Sequence, residues 1–165
     1  MKFSFNKNAA FILFVVLLSV SFTSCMNEDN WIDWKNLNEK WHNAHKNDDG
    51  FTLLPSGVSY KILNDSTPGN PADGKPQSSS SYVTVNYKGR LFNDYVFDEG
   101  TNTDFVVGYT VSGFREVLMK MHPGDSCEIR IPWDQGYGED GSGSSIPPYS
   151  TLKFNVRLNS FLNPQ

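Results

Sequence analysis

The stretch Tyr82-Val-Thr-Val-Asn-Tyr-Lys-Gly-Arg-Leu91 sets the reading of the whole chain. Val83, Val85, Tyr87, Gly89 and Leu91 fall on one face, and Tyr82, Thr84, Asn86, Lys88 and Arg90 on the other. Alternation with period two, rich in β-branched and aromatic residues, marks a strand with one buried face. Towards the C-terminus, Asn93-Asp94 signals a turn, and Val96-Phe97 and Phe105-Val106-Val107 read as short strands around a brief loop. Residues 125–131 and 151–161 alternate in the same way, with Leu152, Phe154, Val156 and Leu158 inward in the last. One segment has a different period. Within 113–121, Phe114, Val117, Leu118 and Met121 fall at i, i+3, i+4 and i+7, which predicts a short helix. Ser112 is its expected N-cap and Pro123-Gly124 its stop. Upstream, 58–63 reads as a short strand after a turn at 54–57. Residues 64–81 read as a loop rich in Pro, Gly, Asp and Ser, ending in a mobile serine run at 78–81. The pattern predicts an α+β domain: an antiparallel sheet with one amphipathic helix across it.

The rest of the chain bounds the function. Its 165 residues suit one domain with extensions. A net charge of -4 and a pI of about 5.3 exclude binding driven by the nucleic-acid backbone, which needs a basic patch. Two cysteines exclude a disulfide-stapled mini-domain. Lys2 and Lys7 flank the start of an apolar run at 9–22, broken only by Ser19 and Ser21. That run is shorter than the ~20 residues of a membrane span and reads as an export signal. Phe22-Thr23-Ser24-Cys25 resembles a bacterial lipobox, with Phe22 where Leu is usual. Residues 1–24 are therefore the expected signal peptide and Cys25 the expected lipidated anchor; a plain signal with an incidental Cys is the alternative. No Asp follows Cys25, and Glu28-Asp29 begins an acidic tract like those of surface-exported lipoproteins. The outer membrane is the expected location, in either leaflet. Cys127, left without a partner, sits on the apolar face of Ser126-Cys-Glu-Ile-Arg-Ile131 and reads as a small buried hydrophobe.

Residues 25–50 then divide into a tether and a helix. Trp31, Trp34, Leu37, Trp41 and Ala44 recur at spacings of three and four over 29–45. Such a stripe packs either on its own domain or on a second copy as a homodimer seam. His42 and His45 stand at i, i+3, but no acid or Cys in that turn completes a tetrahedral metal set, so they read as a solvated face. Residues 51–81 lead into the main domain at 82–165.

Familiar catalytic motifs fail. Gly136-Tyr-Gly-Glu-Asp-Gly141 matches GxGxxG, yet it opens no helix and lies in no βαβ unit, so it binds no dinucleotide. No HExxH, GxSxG or P-loop is present, and the three His are scattered. What stands out is a series of aromatics in unusual settings: Tyr87 in VxVxYxGxL (83–91), Phe97 in VFD (96–98), and Phe114 in VSGF (111–114). Tyr137 lies in YG (137–138) and Phe154 in IPPxSTLxFxVxL (146–158).

This ordered series, with MxxGD (121–125) and IP (131–132), resembles the FKBP-type peptidyl-prolyl cis–trans isomerases over about 82–161. The resemblance implies a twisted antiparallel sheet wrapped around one short helix, here with an additional N-terminal helix. It implies an apolar cup for a prolyl ring, floored by Phe114 where Trp is usual. Tyr87, Phe97, Phe105, Val111 and Phe154 become its walls, Asp98 the polar rim, Tyr137 the donor to substrate carbonyls and Ile146 part of the mouth. By local pattern alone, Asp98 is equally a turn residue before Glu99-Gly100. Six residues separate Asp98 from Phe105, a short loop without the basic residue that often pairs with the Asp. Rotation about an amide breaks no bond, so no cofactor or metal is implied. The expected function is prolyl isomerisation of Pro-containing exported polypeptides. The rival is a catalytically weak binding module or chaperone using the same cup.

Overall fold

A computed structural model of the chain describes residues 28–63 and 73–164. The export signal, Cys25 and residues 64–72 of the Pro- and Ser-rich loop lie outside them. Along the chain come α1 (Glu28–His45), β1 (Thr52–Leu53), β2 (Ser59–Leu63), β3 (Tyr82–Leu91), β4 (Val96–Val106), α2 (Ser112–Leu118), β5 (Ser126–Ile131) and β6 (Leu152–Leu162). The six strands form one antiparallel sheet in the order β1-β2-β5-β6-β3-β4.

The alternating strands send Val83, Val85, Ile129, Ile131, Val156 and Leu158 into one core, where they meet Phe114, Val117, Leu118 and Met121 from α2 and the turn after it. Gly113 lets that helix approach β5: a Cβ there would lie 2.5 Å from a methyl of Ile131. Helix α2 begins one residue before the predicted start. Val111 takes the N-cap position without a side-chain bond, and Ser112 instead accepts from Arg115 Nη2 at 3.1 Å. Beyond Leu118 the chain tightens into a turn, with Lys120 N–H donating to Val117 O at 2.8 Å.

Three further features differ from the sequence pattern. The two short strands around Asp98 are one continuous β4, because β3 offers pairing partners along its whole length. Its period is interrupted by extra residues between the Val85↔Thr103 and Tyr87↔Gly100 pairs, and between Gly89↔Asp98 and Arg90↔Val96. These bulges erase the alternation that would have betrayed a single strand. Secondly, the serine run is anchored at its end. The buried Ser81 hydroxyl accepts from the amides of Gln77 and Ser78 and donates to Asn163 Oδ1 at 2.6 Å.

Thirdly, α1 turns a polar face inward. The chain from Trp31 onward forms one compact unit that includes this helix from residue 31 to its end. Trp34 packs on the core, but Leu37 is 52% exposed, whereas Asn38 and His42 are buried. The two His are therefore not a solvated face. His42 is 6% exposed and its Nε2–H donates to Gly57 O at 2.9 Å; His45 stacks on Trp41 at 4.4 Å between ring centroids. The reason lies in what α1 covers. Loop backbone groups there need hydrogen-bonding partners, which Leu cannot supply and Asn and His can. Arg130 of β5 completes the seam. Its guanidinium donates to the His45 carbonyl at the helix end and to Asp48 at 2.7 Å, and it stacks 3.7 Å from the Phe51 ring centroid.

Candidate functional site

Between α2 and the sheet lies a cavity of about 150 Å³. Phe114, almost fully buried in the first turn of α2, forms its base. Its ring tilts against Phe154 of β6 at 4.8 Å between centroids, and Phe97 of β4 meets Phe154 edge-on at 5.5 Å. On the opposite wall Tyr87 of β3 contacts the edge of Phe105 of β4 at 5.4 Å. Edge-to-face packing fixes each ring against the next and leaves the cavity lined by ring faces and edges.

Local backbone chemistry explains how Phe97 and Phe154 come to share this space. Both rings lie across Gly89 of β3, where a Cβ would stand 2.6 Å from Phe97 and 2.8 Å from Phe154. Phe97 is also the extra residue of the second bulge in β4, between the partners of Gly89 and Arg90. A bulge re-aims a side chain that regular pairing would send elsewhere. The Gly in the strand and the bulge beside it are two halves of one device.

The polar part of the site is small. The Tyr87 hydroxyl donates to Asp98 Oδ2 at 2.7 Å. Burial first, and then the neighbouring carboxylate, push the Tyr87 phenol up to about 12. Tyr137, partly exposed in the loop between β5 and β6, is also raised, by burial and then by the charge of Asp98. Both phenols therefore stay protonated at neutral pH, and that of Tyr87 is the donor to Asp98. Lys88 pairs with Glu99 at 2.6 Å, next to Asp98 rather than with it. Tyr87 thus occupies the Asp98 carboxylate in place of a basic loop residue.

Eight of the nine residues singled out in the sequence line this one cavity: Tyr87, Phe97, Asp98, Phe105, Val111, Phe114, Tyr137 and Phe154. Ile146 does not. It is 5% exposed, belongs to the core cluster and pairs with Ser142 in a tight bridge. Two lining residues escaped the sequence reading, Tyr109 and Thr110. They immediately precede Val111, and Tyr109 is 92% exposed, so no hydrophobic pattern marks them. Cys127, on the core side of β5, is fully buried, and burial pushes its thiol up to about 12, far from a reactive thiolate.

The family of FKBP-type peptidyl-prolyl cis-trans isomerases matches residues 73–159, the segment that supplies every wall of this cavity. The chain belongs to that family. This FKBP-type chain is 36% identical over 121 residues to the peptidyl-prolyl cis-trans isomerase Mip of Coxiella burnetii, covering 71% of this chain and 50% of that protein. It is 37% identical over 121 residues to the outer membrane protein MIP of Legionella longbeachae, covering 71% and 49% respectively. The chain thus spans about half the length of these curated relatives. Its fold superposes on a crystal structure of a peptidyl-prolyl cis-trans isomerase from Pseudomonas syringae with a TM-score of 0.70. That match is 29% identical and covers 78% of this chain and 92% of the other. Within the FKBP-type domain, α2 and strands β3 to β6 are the matched part, and α1 lies before it.

Proposed function

We propose that this protein is a peptidyl-prolyl cis–trans isomerase acting on Xaa–Pro bonds of exported polypeptides. The observation that carries the reading is the aromatic cup on Phe114, with two protonated phenols at its rim, inside the family-matched segment. Isomerisation must overcome an amide resonance barrier of ~18–20 kcal/mol, which makes the free reaction take tens to hundreds of seconds. No bond is broken, so no nucleophile is required. In the twisted transition state resonance is lost and the amide is less dipolar. An apolar, water-poor cup therefore stabilises that state more than the planar ground state, and ~1.4 kcal/mol of such preference gives each tenfold of rate. The prolyl ring rests on Phe114, between Tyr87, Phe97 and Phe105. Tyr137 donates to a substrate carbonyl and holds the chain while the imide bond turns. Asp98, bound to Tyr87, fixes one wall and presents its second oxygen at the rim.

The test is cis-to-trans exchange of a short Xaa–Pro peptide, followed by NMR with the full-length chain in mild detergent. A Tyr87→Ala, Phe97→Ala variant, shown to be folded by circular dichroism, is the control. Acceleration by the wild type and its loss in the variant are expected. A folded wild type that binds the peptide without accelerating exchange would instead identify a binding module.

The same proposal places the protein at the cell envelope, lipidated on Cys25. It is supported by the lipobox-like 22–25 and by the likeness to the Legionella relative, an outer membrane protein. Cys25→Ala is expected to abolish incorporation of labelled fatty acid; undiminished labelling would refute the anchor. For α1, packing on its own domain is favoured over a homodimer seam on the contact of Trp34 with the core and the hydrogen bonds of Asn38 and His42, with Trp31 and Leu37 of the stripe left exposed. Sedimentation should give a monomer across a hundredfold range of concentration.

A further inference from the structure

Helix α1 is hydrogen-bonded to the loop between β5 and β6, which carries Tyr137. Asn38, buried completely, accepts the Thr151 amide on Oδ1 at 2.7 Å. Trp34 Nε1–H donates to Ser150 Oγ at 3.1 Å, and that hydroxyl donates in turn to Pro147 O at 2.7 Å. One turn further along the helix, Glu39 Oε1 accepts Trp133 Nε1–H at 3.0 Å. The Lys35 ammonium lies 4.8 Å from the Trp133 ring centroid and 4.7 Å from that of Tyr149. Two loop segments, 133–138 and 147–151, are therefore fastened to a single helix.

They are also fastened to each other. Tyr149 N–H donates to Gly138 O and Gly138 N–H to Trp133 O, both at 2.9 Å, while the Trp133 and Tyr149 rings meet edge-on. Tyr149 itself sits at φ 58, a left-handed conformation that a non-glycine residue adopts only when its surroundings impose it. Tyr137 stands inside this assembly, one residue before Gly138, with its ring in the cup.

We infer that α1 is a positioning brace for the prolyl site: through Trp34, Asn38 and Glu39 it fixes the 133–151 rim and with it the Tyr137 hydroxyl. Surface loops are the mobile part of a domain, and displacing a substrate-positioning group by an ångström costs up to about a hundredfold in rate. A rigid helix supplying one fixed partner to each segment removes that freedom. The inference rests on the isomerase reading for its consequence, though not for its geometry.

The experiment compares the full-length chain with a Trp34→Phe, Glu39→Ala variant, which removes two grips and leaves the buried Asn38 in place. Glu39→Gln, which keeps the acceptor for Trp133, is the conservative control. Amide hydrogen exchange is read at Gly138 and Tyr149 in the rim and at Ile129 in the sheet, alongside kcat and KM for an Xaa–Pro peptide. Exchange at the two rim amides is expected to rise at least about tenfold while Ile129 stays unchanged. The loss in kcat/KM should be about tenfold to a hundredfold and lie chiefly in KM, because Tyr137 holds the substrate in ground and transition states alike. Glu39→Gln should behave as the wild type. Rim amides that exchange at the wild-type rate, or that speed up only in step with Ile129, would overturn the brace. If the wild type itself fails to accelerate isomerisation, the proposed activity falls, and the exchange data alone decide the brace.

Discussion

The cup and the seam beneath α1 are built from the same chain by different forces. The cup is aromatic and apolar: Phe114, Phe97 and Phe154 touch ring to ring, and a single hydrogen-bonded pair, Tyr87 with Asp98, stands at its edge. The seam is polar, held by Asn38 to Thr151, His42 to Gly57 and Arg130 to the end of the helix. Burial of apolar area is tolerant of detail, and it scales with the surface removed from water. A buried polar seam is not tolerant. Each of its bonds contributes modestly while made, yet a partner left alone costs its full desolvation. The loss on disturbing the cup is thus set by the apolar area removed, whereas the loss on disturbing the seam is set by the partner left alone.

Four measurements can break or sharpen this contrast. The largest effect is expected for Phe114→Ala, which empties the base of the cup; it should destabilise the domain by ~3–5 kcal/mol in urea denaturation. A cost near zero would mean that the floor is not part of the packed core. Asn38→Ala comes next. It removes an apolar area far smaller than a phenyl ring, yet strands the Thr151 amide, and a loss of ~1–3 kcal/mol is expected. If Asn38→Ala proves neutral, water reaches the seam and the contrast between the regions collapses.

The third is a pH dependence. Burial holds the His42 imidazole below its usual range, against the opposing pull of its bond to the Gly57 carbonyl. Its Nδ1 is buried without a partner, so protonation there would add a donor with nowhere to donate. The unfolded chain, with an ordinary His, takes up a proton more readily. The contribution of His42 is therefore complete above pH ~6.5 and is lost as the pH falls through the lower folded value. Stability measured from pH 7.5 to 5 should decline, and His42→Gln should flatten part of that decline. An unchanged slope in the variant would show that other groups govern it. The smallest effect belongs to the cup. The Tyr87 phenol titrates near 12 in the folded protein against about 10 in the unfolded chain, so its contribution is lost only as the pH rises from 10 through 12. Absorbance titration should show this late phenol, and Asp98→Asn should bring it earlier.

The sequence by itself determined the sheet, the short helix and most of the cup. Val83, Val85 and the inward residues of 152–158 alternate, Phe114 and Val117 fall at helical spacing, and apolar periodicity of this kind is a local property of the chain. The family resemblance carried by its short motifs singled out nine residues, eight of which share the cavity. The tertiary structure alone decided the rest. That β4 is continuous depends on its pairing with β3, and the bulge that aims Phe97 interrupts the very period by which a strand is read. Ile146, placed by resemblance at the mouth, is drawn into the core by its bridge to Ser142. The inward face of α1 was the least legible. Asn38 and His42 look like surface residues until the backbone groups they serve come into view. One of those, the Thr151 amide, lies 113 positions away in sequence. A buried polar residue is defined by its partner, and a partner that distant exists only in the folded chain.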